Sequence, residues 1–260
     1  KAPMVAARVA KRMRKLRMDC LQSYTDFICS ADGADERREM IFSLTTNVTS
    51  FLRESHHFEY LCNEIIPKIA ARGRAGARIR IWSAGCSTGQ EPYSIAMALM
   101  SHIPDASRMD LRVLATDLDF HVLNQAKKGI YSGEALAPIP SAWQSSFLEA
   151  AAAPEGAGSQ FRVRDEVRSL ISFRSLNLIE EWPMRGFFDV IFCRNVVIYF
   201  DQATQSKLWQ RFADILTDDG HLFLGHSERI DALNLPRFRT VGTTIYQRAE
   251  APGRVPDRAP

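Results

Sequence analysis

No two cysteines in this chain stand in a CxxC pair. The five present (Cys20, Cys29, Cys62, Cys86, Cys193) are scattered over 260 residues. That argues against zinc-ribbon and thioredoxin-type sites, so the thiols read as reduced side chains and no metal site is expected. Long apolar runs are also missing. None approaches the ~20 residues that cross a bilayer, and no secretory signal pattern stands at the start. Direct membrane insertion is not expected, and the cytoplasm is the expected compartment. Charge of one sign is in short supply too: the net charge is +3, so composition as a whole does not imply a nucleic-acid partner. Hydrophobic residues at 46% and charged residues at 24% are those of an ordinary globular chain. The exception is the start, where residues 1–17 are rich in Lys and Arg and hold no acid. A chain that opens on Lys1 reads as a fragment whose true start lies upstream.

The three-glycine dinucleotide fingerprint is incomplete. Only Gly85 and Gly89 are present, at a different spacing, inside the informative stretch 78–96. Ile79 and Ile81 alternate as in a short strand, the glycines allow a loop to approach a ligand closely, and an apolar-periodic helix follows over 90–102. Strand, glycine turn and helix together hold nucleotide-like ligands at the carboxyl ends of open α/β sheets. Glu91 at the helix entrance would repel a phosphate. An acid there suits a ligand with an amine or ribose hydroxyls and no phosphate, and S-adenosylmethionine is such a ligand.

The periodicity predicts further helices over 4–17, 21–30, 37–44, 55–71, 120–128 and 202–216, and strands over 79–83, 111–116, 170–174, 187–193 and 220–225, with one or two more over 238–248. Strands alternating with helices argue for a mostly parallel sheet covered on both faces. Residues 129–168 break the rhythm and read as a small inserted subdomain with a hairpin. This divides the chain into an N-terminal helical domain and linker (1–54), a sheet domain (55–248) carrying an inserted β-subdomain at about 130–170, and a proline-containing disordered tail (249–260).

Several polar groups fall where such a sheet binds its ligand. Asp117 and Asp119 end the second strand, where a carboxylate takes ribose hydroxyls; the bland reading is a helix N-cap. Arg194 and Asn195 end the buried strand 187–193, with Tyr199 shortly after, and Asn177 with Leu178 ends the strand before it. An Asn side chain both donates and accepts, as reading an adenine edge requires. Arg53 closes the polar segment Thr45-Thr46-Asn47-Val48-Thr49-Ser50-Phe51-Leu52-Arg53-Glu54 and suits a bidentate pair with a carboxylate. His56 and His57 are adjacent and read as packing or capping residues.

The ordered set of that polar segment, Trp82-Ser83-Ala84-Gly85-Cys86-Ser87-Thr88-Gly89-Gln90-Glu91-Pro92-Tyr93-Ser94, Ala115-Thr116-Asp117-Leu118-Asp119, Asn177-Leu178, Phe192-Cys193-Arg194-Asn195-Val196-Val197-Ile198-Tyr199-Phe200 and Gly225-His226-Ser227-Glu228 resembles the CheR family of chemotaxis methyltransferases. The resemblance implies a Rossmann-like class I methyltransferase sheet with an N-terminal helical domain and an inserted small β-subdomain. It implies methylation of glutamate carboxylates on the cytoplasmic domains of chemotaxis receptors, with S-adenosyl-L-methionine as cofactor and S-adenosyl-L-homocysteine as product. By the same resemblance Asn47, Thr49, Arg53, Glu91, Asp117, Asn177, Leu178, Arg194 and Asn195 contact the cofactor, and Arg53 and Tyr199 stand beside the transferred methyl. Three departures stand out: the helical domain looks shortened, Gln90 replaces a frequent Glu, and the loop 150–160 is long, which argues against docking of a receptor tail peptide.

A glutamate carboxylate is already ionised at neutral pH, so its methylation needs positioning and desolvation and no general base. Receptor methylation regions are implied to be helical and acidic. The basic residues Arg8, Lys11, Arg12 and Lys15 are therefore expected to face them, with Val5, Val9, Met13 and Leu16 anchoring the helix. Three rivals remain. Gly85-Cys86-Ser87-Thr88-Gly89 fits the serine-hydrolase elbow, with Asp189 and His226 in the matching chain order, but no HGGG-type segment accompanies it. A nucleic-acid methyltransferase would carry an Asn/Asp-Pro-Pro-aromatic segment where Arg194-Asn195-Val196-Val197 stands, and aromatic side chains that could stack on bases are absent among the basic residues. A cofactor-binding scaffold would bind without turnover.

Overall fold

The computed structural model describes residues 2–44, 47–153 and 158–249. Thr45, Thr46, part of the long loop (154–157) and the expected tail beyond Ala249 lie outside the described residues. The chain divides into two compact units between Val48 and Thr49.

The first unit holds α1 (Ala2–Lys15), α2 (Leu21–Cys29) and α3 (Ala34–Leu44). Its interior is organised around a carboxylate. Glu36 is 7% exposed, accepts from Arg12 Nε at 2.9 Å and from the Tyr24 hydroxyl at 2.9 Å, while Arg12 Nη1 also reaches Glu39 at 3.3 Å. Burial of the Tyr24 ring, with Glu36 as its acceptor, pushes the phenol up to about 12. This corrects the expected orientation of α1. Arg12 faces inward, and Arg8, Val9 and Met13 share its half-buried face, whereas Val5 and Leu16 are exposed. A buried acid needs a cation, and that requirement turns the helix away from the purely apolar stripe. Lys11 and Lys15 remain exposed. α3 begins at Ala34, three residues before the predicted start, with Asp35 and Glu36 in the first turn, where the helix dipole favours acids.

The second unit opens with α4 (Ser55–Tyr60), one wide turn (Leu61–Ile65) and α5 (Ile66–Arg74), where a single helix was expected. Pro67 explains the change: it has no N–H and its ring presses on the preceding turn, which widens to a π-type turn. Next come β1 (Ile79–Ala84), α6 (Gln90–His102), β2 (Leu111–Asp117) and α7 (Phe120–Lys128). The insertion follows, with β3 (Ile130–Ser132), α8 (Ser141–Phe147), β4 (Leu148–Ala151), β5 (Gln160–Val163) and α9 (Asp165–Ser169). The predicted hairpin is β4 and β5, and β3 adds a third antiparallel strand on the other side of β5. The chain then returns through β6 (Ile171–Ser175), β7 (Phe188–Cys193), α10 (Gln202–Ile215), β8 (Leu216–Leu224), β9 (Phe238–Gly242) and β10 (Ile245–Arg248).

The main sheet runs β6-β2-β1-β7-β8-β10-β9. The first five strands are parallel, and β10 enters antiparallel between β8 and β9. Ile79, Ile81, Val113, Val190 and Phe223 face a core shared with α4–α6, while Trp82, Ile191 and Leu222 face a second core built on Trp209 and Phe212 of α10. Both faces are thus apolar, and β7 is buried at every residue, which is why its sequence reads as an unbroken hydrophobic run. The order of connection reverses between β1 and β7. A crevice must open there at the carboxyl ends, and ligands of such sheets bind in it.

Candidate active site

The loop leaving β1 is shaped by three left-handed residues. Gly85 has φ +88° and Gly89 φ +97°, and between them Ser87 takes φ 49° although it is not glycine. A Cβ on Gly85 would lie 2.3 Å from Val196 Cγ2 in the loop after β7, so glycine is required for close approach. The Gly85 and Cys86 amides both donate to Thr116 O, at 2.8 and 2.9 Å, and Ser87 N donates to Asp117 Oδ2 at 2.8 Å. β2 therefore holds the glycine loop from below.

The two aspartates separate into two roles. Asp119 is the N-cap of α7 and accepts from His121 N at 2.8 Å, a capping geometry that Asp favours. Asp117 faces the glycine loop and accepts from Ser87 N and Asp119 N. Burial raises its pKa, and these amides only partly offset that.

Across the crevice, Arg194 leaves the end of β7 with a side chain 2% exposed. Its Nε donates to Glu91 Oε2 at 2.7 Å, and Ser83 Oγ donates to Glu91 Oε1 at 2.7 Å. Its Nη1 donates to the Arg53 carbonyl at 2.5 Å and to His57 Nδ1 at 3.1 Å, and lies 3.6 Å from Glu54 Oε2. His57 is fully buried and bonded through Nε2 to Thr244 Oγ1 at 2.9 Å. Burial, with Arg194 beside it, drives its pKa down to about 3, so it is neutral. Arg53 itself lies between two strained residues, Leu52 (φ 51°) and Glu54 (φ 59°).

The loop after β7 is fastened by a carboxylate from the turn after β8. Asn195 has φ 59°, and Glu228 collects the backbone amides around it. One carboxylate accepts from Gly225 N (2.7 Å), Asn195 N (2.8 Å), Val197 N (2.9 Å) and Ile198 N (3.3 Å). Tyr199 follows in the short turn Val197–Tyr199 and is 44% exposed.

Residues 47–247 match the family described as CheR methyltransferase, SAM binding domain. A probable chemotaxis protein methyltransferase of Rhizobium etli is 45% identical, over 95% of this chain and 91% of that protein. The chemotaxis protein methyltransferase of Escherichia coli is 41% identical, over 95% of this chain and 82% of its own length. Chemotaxis protein methyltransferase 2 of Pseudomonas aeruginosa is 38% identical, over 96% and 86%. The chain belongs to the CheR methyltransferase family.

S-adenosylmethionine is therefore the cofactor of this CheR family member, and its chemistry is methyl transfer in chemotaxis. The crevice suits that ligand. It presents Asp117 at the end of β2 and Glu91 in the first turn of α6, and Glu54 Oε2 is a buried oxygen with no hydrogen-bond donor among the described residues. Thr49, Arg53, Glu91, Asp117, Arg194, Asn195 and Tyr199 all belong to the second unit; Glu91 opens the helix after β1, Asp117 ends β2, Arg194, Asn195 and Tyr199 follow β7, and the Arg53 carbonyl is bonded to Arg194. Asn177 lies two residues past β6 and closes a local turn, accepting from Ile179 N at 3.1 Å and donating to Glu180 at 3.0 Å. Leu178 is buried in the α10 core. Asn47 falls in the first unit and is half-buried.

The hydrolase constellation does not assemble. Asp189 sits at the amino end of β7, bound to Arg80 N at 2.7 Å and paired with Arg72 at 2.8 Å. His226 follows the carboxyl end of β8, the parallel neighbour of β7. About five strand residues at ~3.3 Å each separate the two levels. His57 and Glu54 join Glu228 as residues missed from sequence. Adjacent histidines suggest packing or capping, whereas the ion cluster that His57 serves links segments more than a hundred residues apart.

Proposed function

We propose that this chain transfers the methyl group of S-adenosylmethionine to glutamate side chains on the cytoplasmic domains of chemotaxis receptors, forming glutamate methyl esters in the cytoplasm. The observation that carries the reading is the state of the crevice carboxylates. Glu228 is occupied by backbone amides, Asp117 by two amides, and Glu91 by Ser83 and Arg194, while Glu54, whose Oε2 has no donor among the described residues, is held below its ordinary pKa against the effect of burial by Arg194 and the His226 amide. Groups so engaged are poor general bases. A site of that kind suits an acceptor that needs no deprotonation, as a carboxylate does at neutral pH.

In this reading the bound cofactor supplies an electrophilic methyl group. Asp117 binds its ribose from the end of β2. Glu91, held by Arg194, takes its ammonium group, and Thr49, Asn177, Leu178 and Asn195 complete the contacts. Arg53 orients the incoming carboxylate, and Tyr199 stands beside the reacting atoms. Arg194 contributes by holding Glu91 and the Arg53 backbone, since its own side chain is closed to solvent. The exposed Lys11 and Lys15 offer charge to an acidic receptor surface.

The test uses methyl-tritiated S-adenosylmethionine and a receptor cytoplasmic domain. The expected result is label in the receptor that is released as volatile methanol in mild alkali, as an ester requires. Alkali-stable label, or label in added nucleic acid, overturns the substrate reading. Binding of S-adenosylhomocysteine with no labelled product would leave only the scaffold role.

A further inference from the structure

We infer that Glu54 is a positioning residue for Arg53, working with Arg194 and His226 to hold the Arg53 segment against the carboxyl end of the sheet; the inference rests on the role of Arg53 proposed above. The segment is not held by its own conformational preference. Leu52 and Glu54, on either side of Arg53, have φ of 51° and 59°, a region that residues with side chains avoid. External bonds must impose that shape, and they come from three elements. Leu52 N donates to Ser94 Oγ on α6 at 3.0 Å. Arg194, from the end of β7, donates to the Arg53 carbonyl. His226, just past β8, offers both its amide and its Nδ1 to Glu54 Oε1, each at 3.3 Å.

Glu54 touches both the Arg194 cluster and His226, just past the end of β8. Its side chain is 11% exposed and would carry an unfavourable buried charge without partners. Burial opposes its ionisation, but Arg194 first, then the His226 amide, outweigh it and hold the carboxyl below its ordinary pKa. The neighbouring His57 does not neutralise it. His57 Nδ1 accepts from Arg194, so the ring proton sits on Nε2, facing Thr244 Oγ1 and Thr243 O. Glu54 Oε2 therefore faces a lone pair at 3.4 Å and is bound to the cluster by charge alone, through Arg194 at 3.6 Å. A neutral amide of the same shape would lose that attraction and keep the fold's packing. The consequence would fall on Arg53, the adjacent residue in the chain, whose strained segment the Glu54 contacts help to hold.

The experiment is a double-mutant cycle read by single-turnover methyl transfer to a receptor cytoplasmic domain, with S-adenosylhomocysteine affinity measured by calorimetry. Glu54→Gln is expected to lower the transfer rate by ~10-fold or more with affinity changed less than ~3-fold. In an Arg53→Ala background the same change is expected to cost less than ~2-fold, because the residue it acts through is gone. Equal losses in both backgrounds, or parallel losses of rate and affinity, would show a merely structural role and overturn the inference. His226→Ala, at a residue 68% exposed, is the companion variant and serves if Glu54→Gln misfolds. It must show the same dependence on Arg53, and an additive effect counts against the clamp. If Arg53→Ala alone leaves transfer at the parental rate, it is the role of Arg53 that fails.

Discussion

At the scale of single residues, neighbours with the same side chain do different work. Asp117 and Asp119 are two positions apart at the end of one strand. The first carries the glycine loop, and the second caps a helix. Asp119→Ala should lower stability by about 1 kcal/mol, the usual loss for a removed N-cap, and leave S-adenosylhomocysteine affinity within ~2-fold. Asp117→Ala should weaken that affinity by about 1.5–3 kcal/mol, the scale of a charge-assisted hydrogen bond. Calorimetry and thermal melts on both variants decide the matter, and an exchange of the two outcomes would reverse the assignment.

Elements show what the sequence made legible. The alternation of strand and helix, the glycine loop after β1 and the polar ends of β2 and β7 all rest on local pattern, which single-sequence reasoning reads well. What it missed is non-local or strained. Ser87 and Asn195 adopt left-handed backbone without being glycine, because Thr116 and Asp117 of β2 and Glu228, past the end of β8, bond the loops from other parts of the chain. Arg12 turned inward because Glu36, on another helix, was buried. The wide turn at Leu61–Ile65 was signalled by Pro67 and went unread. The loop–loop contact is open to a test. Gly85→Ala should cost about 2–4 kcal/mol, combining positive φ with collision on Val196. Adding Val196→Ala should return only the steric share. Full recovery in chemical denaturation would show that the backbone conformation there is unstrained.

Over the whole molecule, titration and surface charge set behaviour that no one site reveals. His57 and His221 are buried, with burial driving their pKa values to about 3 and about 4. In the unfolded chain an imidazole titrates near 6.5. The folded protein thus binds fewer protons, so the stability from these neutral rings is full above about pH 6.5 and is lost as pH falls toward 4 and 3. With two such groups the slope reaches about 2.7 kcal/mol per pH unit. Asp117, Asp189 and Glu228, whose pKa values burial raises, work in the opposite direction at lower pH. Melting temperature should therefore fall between pH 7 and 5.5, and His221→Phe should remove roughly half of that fall; an unchanged slope would mean that His221 is protonated in the folded state.

The charge on α1 bears on the partner at the same scale, and the packing of the helical unit determines which residues are available to it. Arg12 is bound to Glu36 and Glu39, so it cannot serve as a free docking charge. Lys11 and Lys15 are exposed and lie four residues apart, on neighbouring turns of one helix side. Exposed charges act through steering, screened beyond ~8 Å at physiological salt. Reversing Lys11 and Lys15 to Glu should raise the apparent KM for an acidic receptor domain several-fold at low salt, flatten its salt dependence and leave cofactor affinity unmoved. Arg12→Glu should behave otherwise. It places an acid against buried Glu36 and should cost about 2 kcal/mol or more, since breaking a largely buried ion pair strands the remaining charge. Steady-state kinetics at two ionic strengths, with melts of both variants, separate the outcomes. If the Lys11 and Lys15 reversals leave low-salt kinetics at the parental values, the receptor does not meet this face of the helix.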